Sequence, residues 1–187
     1  ENHKNLIHVS IHAGVGAGII LDHHLYTGLA GTAGEAGHMI VQPGGRSCPC
    51  GNHGCLEQYI SEPAVLSRYR ELSGRTTVSI DDLVWAYNQK ETAALAVTDE
   101  FTTYLACGIN NLWNLFSPEC IILNCQLTAY LPQLLPEILQ KLSPRFRATC
   151  HLKLSTLQDT GVLLGAAKVC ISKYLGTEKL YFPGFQP

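Results

Sequence analysis

The chain has 187 residues, 46% of them hydrophobic and 15% charged, with a formal net charge of −2. That balance describes a packed core rather than a disordered tail, and the length fits one sizeable domain. Lys and Arg are scattered without a basic run, so nothing here makes an electrostatic footprint for DNA or an anionic membrane; any DNA contact would need another segment.

No apolar stretch reaches the roughly 18 residues of a membrane helix. The opening ENHKNLIHVSIHAGVG enters a strand pattern at once and has no signal-peptide layout. Of the eight cysteines, Cys48, Cys50 and Cys55 cluster, while Cys107, Cys120, Cys125, Cys150 and Cys170 sit singly in apolar segments. Isolated cysteines of that kind behave as small hydrophobes, which points to a reducing, cytoplasmic setting rather than a secreted disulfide framework.

In chain order, Leu6–Ile11 alternates as a strand, Ala17–Leu21 is a second apolar run, and Asp22-His23 can turn the chain into a third strand over His24–Thr27. Gly14, Gly16 and Gly18 lie between and into these runs. After the cysteine loop, Ser61 is placed to cap a helix with Pro63 in its first turn, continuing through Ala64–Leu72. Ser79-Ile80-Asp81-Asp82 resembles a capping box and opens a helix through Leu83–Asn88. Glu91–Phe116 is long, apolar-striped and free of proline, and Pro118 ends it. Cys120–Asn124 reads as a buried strand, Pro132–Leu142 as a helix, Leu152–Leu154 as a strand and Gly161–Tyr174 as a closing helix. The tail YLGTEKLYFPGFQP is aromatic and Pro/Gly-rich and is expected to be an ordered surface tail or a partner contact. Strands first, then helices alternating with single strands, predict a mixed α/β sheet covered by helices.

The chemistry concentrates in residues 34 to 57, GEAGHMIVQPGGRSCPCGNHGCLE. Three thiols within eight residues, with glycine and proline between them, can converge on one point. Thiolates suit Zn²⁺, which asks for a fourth ligand in tetrahedral array. His38 and His53 are both near enough in sequence. His38 is favoured, because a closed site needs a ligand from outside the tight loop. The plainer readings are a reduced cysteine-rich turn or one disulfide, which would leave an odd thiol.

With these residues in hand, the chain resembles the ROK family of sugar kinases and sugar-responsive transcriptional repressors. GEAGH followed by CPCGNHGCLE matches the family signature, HAGVGAGIILDHHLYTG its glycine-rich hairpin, and SPECIILN and TGVLLGAA its later strand and final helix. The resemblance implies an actin-like, RNase H-like α/β fold. On that reading residues 1–187 form the C-terminal lobe, with a small zinc loop at about 38–57. It implies one structural zinc per chain on His38, Cys48, Cys50 and Cys55, and a sugar bound by Glu35, His38 and Glu57. His38 would serve both, one ring nitrogen on the metal and the other on a hydroxyl. Glu35 and Glu57 also have ordinary readings, as a solvated loop residue and as a charge at a helix N-terminus.

Two departures from the kinases fall on the nucleotide side. His12-Ala13-Gly14 stands where the kinases typically carry Gly-Thr-Gly, and Asn124-Cys125-Gln126 stands where they usually show a glycine pair near adenosine. The sequence also holds no Asn-Asp pair matching the family's catalytic aspartate, which lies upstream in the other lobe. The expectation is therefore the effector-binding lobe of a repressor-type member, responding to a hexose or related sugar and not itself catalytic. The alternative is the C-terminal lobe of an ATP-dependent sugar kinase. A homodimer is expected, with Glu91–Phe116 offered as an interface element. Operator DNA would be reached only through an N-terminal winged helix-turn-helix outside this chain.

Overall fold

A computed structural model describes residues 3–157 and 160–176, so most of the aromatic tail lies outside the described residues. Three strands open the chain: β1 (Leu6–Ile11), β2 (Val15–Leu21) and β3 (His24–Tyr26). They form an antiparallel meander, with β1 pairing Leu6 to Ile20 through Ile11 to Val15. The turn into β3 places Asp22 and His23 at φ 48° and 67°, the left-handed pair that matches the twist of a two-residue hairpin. β2 begins two residues before the apolar run, because Val15 and Gly16 complete the ladder opposite Ile11 and Ser10.

On the other side of β1, β4 (Cys120–Cys125) pairs in parallel, and β5 (His151–Leu154) pairs in parallel with β4. The sheet order is β3-β2-β1-β4-β5, the mixed α/β architecture that the pattern predicts. Period-two alternation decides which side of β1 is dry: Ile7, Val9 and Ile11 are buried, while Leu6, His8 and Ser10 are half-buried.

Between β3 and β4 the chain makes four helices: α1 (Glu57–Ile60), α2 (Glu62–Ser73), α3 (Ile80–Asn88) and α4 (Thr92–Phe116). Ser61 accepts from Ala64 N–H at the start of α2, and Ser79 with Asp82 closes a capping box at α3; each satisfies amide donors that a helix start leaves orphaned. α4 supplies the main core stripe. Val97, Phe101, Leu105, Ile109 and Leu112 follow helical spacing and are each 4% exposed or less. They share one apolar cluster with Ile7, Val9, Ile121 and Leu123 of the sheet. Leu95 and Leu115 of the same helix remain exposed.

Beyond β4 come α5 (Gln126–Tyr130), α6 (Leu134–Lys141) and α7 (Pro144–Thr149). The expected helix over Pro132–Leu142 is shorter at its start: Leu131, at φ −120° and ψ 69°, ends α5, and Pro132 belongs to the turn between the two helices. His3–Leu154 forms one compact unit. The segment from Ser155 forms a second, built around α8 (Thr160–Leu175), one residue longer at each end than its sequence pattern indicates. Among the described residues no helix is long and apolar enough to cross a membrane.

Candidate functional site

The GEAGH turn is held against the start of β2 by backbone contact. Ala17 N–H donates to Gly34 O at 2.7 Å. A Cβ at Gly34 would stand 1.9 Å from Ala17 O, and one at Gly37 would stand 2.4 Å from Val15 O. Gly34 also sits at φ +89°, a region side chains rarely enter. Only glycine at both places lets residues 34–37 lie this close to the strand. The turn then tightens into a single 3-10 turn over Ala36–His38, with His38 N–H bonded to Glu35 O at 3.0 Å. Three residues apart on such a turn, Glu35 and His38 point the same way, and His38 Nε2 lies 3.9 Å from Glu35 Oε2.

From His38 the chain runs out and back beside itself. Leu56 N–H bonds Met39 O at 2.8 Å, and Ile40 bridges Cys55, which brings Cys55 alongside His38. At the far end Ser47 bridges His53, and Gly51 N–H closes a turn onto Cys48 O at 3.0 Å. One ligand atom each from His38, Cys48, Cys50 and Cys55 then lies within 4.8 Å of every other. His53 is exposed and stands outside this group.

The spacing fits an ion better than a disulfide. Cys48 Sγ is 3.7 Å from His38 Nδ1, and Cys50 Sγ is 3.7 Å from Cys55 Sγ. A tetrahedral ion with arms of roughly 2.3 Å to sulfur and 2.0 Å to nitrogen sets ligand–ligand edges at about 3.5–3.8 Å. A disulfide would need about 2.05 Å, and all three cysteines are free. The group could therefore hold a metal.

The thiols are electrostatically unequal. The backbone N–H of Asn52, and next the Cys48 thiol, pull Cys50 down to about 7. Burial, then hydrogen bonding with the neighbouring thiols, pushes Cys55 up to about 12. One sulfur thus ionises more readily than an ordinary thiol, while the other is held back by its burial.

Glu57 comes from a different direction. Leu56, buried at the entry to α1, packs against Gly108 of α4, and this seats the helix that carries Glu57. The Glu57 carboxylate accepts from Val15 N–H at 3.0 Å. Glu35 and His38 therefore meet directly, whereas Glu57 reaches the same stretch of β2 through the backbone of Val15. Sequence reasoning missed that amide, since a main-chain donor has no letter of its own. It also missed Gln58, whose side-chain amide contacts Cys48; no spacing rule singles out a glutamine there.

At this same end of the sheet, just past the Ile11–Val15 pair, His12 follows β1, and Asn124 lies next to the end of β4. The C-terminal ends of neighbouring parallel strands are where open α/β sheets usually bind ligands. Here Asn124, 4% exposed, brings its Nδ2 to 3.3 Å from His12 Nε2, an amide donor facing a ring acceptor. The two side chains that depart from the kinase pattern touch each other across the strand ends.

The ROK family model matches residues 1–173. The xylose repressor of Bacillus spizizenii is 33% identical over 184 residues, covering 96% of this chain and 47% of that protein. Among solved structures, a ROK family transcriptional regulator described as a homologue of the E. coli MLC protein superimposes with a TM-score of 0.68 at 31% identity, over 81% of this chain and 41% of that one. A ROK hexokinase from Thermus thermophilus gives 0.75 at 25% identity, over 89% and 56%. The chain spans about half the length of the curated relatives it matches.

Proposed function

Because this chain belongs to the ROK family, we propose that it is the C-terminal, effector-binding lobe of a cytoplasmic transcriptional regulator, built on the family's actin-like frame. It binds a sugar beside a structural zinc ion and changes the operator affinity of the intact, dimeric protein. The observation that carries this reading is the position of His38, grouped with the three sulfurs, with Nδ1 toward Cys48 Sγ and Nε2 toward Glu35.

His38, Cys48, Cys50 and Cys55 would hold the zinc, whose chemistry here is to fix the loop and the plane of the imidazole. The Nε2–H then has one direction in which to donate. Glu35 and Glu57 accept from neighbouring sugar hydroxyls through charged oxygens, which strengthens each bond. One Glu57 oxygen is already committed to Val15 N–H, so its orientation is set before a ligand arrives. A sugar shifts DNA affinity only by binding one conformation better than the other.

The His12–Asn124 contact favours a regulator over a kinase. A phosphate loop needs free backbone N–H groups and room for the anion, whereas here two side chains turn toward each other at the strand ends. The similarity to a hexokinase keeps the kinase as the competing outcome.

The test is calorimetry on the full-length protein with a panel of aldoses, xylose first because of the repressor relatives, beside a Glu35→Ala variant. The expected result is binding of at least one sugar, at least tenfold weaker in the variant, without sugar-dependent ATP turnover. No heat from any sugar sinks the sensor reading; ATP-dependent phosphorylation transfers the lobe to the kinases.

A further inference from the structure

Gln58 follows Glu57 on α1, and its side-chain Nε2 donates toward Cys48 Sγ at 3.6 Å. We infer that Gln58 is a positioning residue for the metal centre, its amide holding the Cys48 thiolate in place and slowing loss of the ion. This rests on the zinc reading above.

Charge supplies the reason. Three thiolates around a divalent cation leave the centre with one net negative charge, and N–H groups aimed at the sulfurs spread that charge. Cys50 is exposed and has the Asn52 backbone N–H for this purpose. Cys48 is 4% exposed, so water offers it little, and the Gln58 amide is the donor that reaches it.

The backbone that carries the amide is held, as a positioning group needs. Gln58 backbone N–H bonds Cys55 O at 3.0 Å, and its backbone carbonyl accepts from Arg46 Nη1 at 2.8 Å. Arg46 is itself fixed, by Glu100 through Nη2 and by its guanidinium lying 4.5 Å over the Tyr59 ring. Its backbone N–H donates to the Tyr59 hydroxyl at 2.9 Å. Arg46 therefore ties the loop carrying Cys48 to the helix turn carrying the donor.

The experiment uses full-length protein purified with its metal, comparing wild type with Gln58→Leu, Gln58→Glu and Gln58→Lys. Zinc content is measured first: an intact fold with no zinc in the wild type defeats the metal reading itself, separately from the role of Gln58. With about one zinc per chain, release to a chromogenic chelator should be 10–100-fold faster in Gln58→Leu, the usual range for losing such a partner. It should be faster still in Gln58→Glu, which faces the sulfur with an acceptor. Gln58→Lys, which restores an N–H donor, should recover most of the retention.

In cobalt-loaded protein the sulfur-to-metal charge-transfer band should move to lower energy in Gln58→Leu, a shift that a purely structural role would not produce. Release within twofold of wild type in both Gln58→Leu and Gln58→Glu overturns the assignment, as does an unmoved cobalt band. Should Gln58→Leu fail to fold, equal release from Gln58→Glu and Gln58→Lys overturns it instead.

Discussion

Two histidines show how differently two neighbouring parts of this molecule are built. His38 stands on a turn held by backbone contacts, its ring between three thiols and a carboxylate. His12 stands past the end of a core strand, its Nε2 facing the amide of a buried asparagine. The first is surrounded by groups that can take a cation or a hydroxyl; the second has one ring nitrogen already turned to a protein donor. A site is recognised by what its side chains leave unmet. By that measure the cysteine loop has more to offer a ligand than the His12–Asn124 contact does.

The loop and the sheet should also come apart under mutation. Cys50→Ser should have the largest effect on the loop, taking metal content from about one ion per chain to near zero; structural zinc can contribute on the order of 10 kcal/mol. Elemental analysis beside chemical denaturation of the full-length protein checks both parts. Phe101→Ala should do the reverse. Its side chain is 1% exposed in the core, so the variant should lose about 3–5 kcal/mol of stability while keeping its metal when folded. If each substitution damaged metal and core alike, the two regions would be one cooperative unit.

Gly37→Ala sharpens the contrast within the loop. A methyl there meets Val15 O at 2.4 Å, so the Glu35–His38 turn must lift from β2. A cost of about 1–3 kcal/mol is expected, with sugar affinity falling more than metal content. The smallest effect concerns the capping box of α3. The Ser79 hydroxyl, and then its backbone N–H, hold the Asp82 carboxyl below its ordinary value of 3.8. A carboxylate lowered by folding stabilises the fold above that ordinary value and loses its contribution as pH falls through the lowered one. Asp82→Asn should therefore be slightly less stable than wild type at pH 7, with the gap closing in acid; denaturation curves at both pH values measure it.

Much of this frame was legible in the sequence. Alternation marked β1, an unbroken apolar stripe marked α4, and the serine caps of α2 and α3 were visible as letters. The short helices α5 and α7 were not anticipated. For α7 a signal was present: Ser143 before Pro144 is a cap followed by a first-turn proline, and the hydroxyl accepts from Phe146 N–H at 3.1 Å. α5 offers no side-chain cap, so only its packing beside β4 accounts for it. In the site, cysteine and histidine spacing picked out the four residues whose ligand atoms converge, because convergence of short-range groups is written in the order of residues. The Glu57–Val15 bond spans 42 positions, and a contact of that kind is set by how α1 seats on α4.

α1 is a single turn, and its neighbouring residues face directions about 100° apart. Glu57 looks toward the hairpin and Gln58 toward the sulfurs, so one helical turn faces both the proposed sugar and the proposed ion. If a sugar settling on Glu57 tightens the grip on zinc by some factor, zinc must tighten the grip on sugar by the same factor. Metal supply would then set the threshold at which such a regulator answers its sugar.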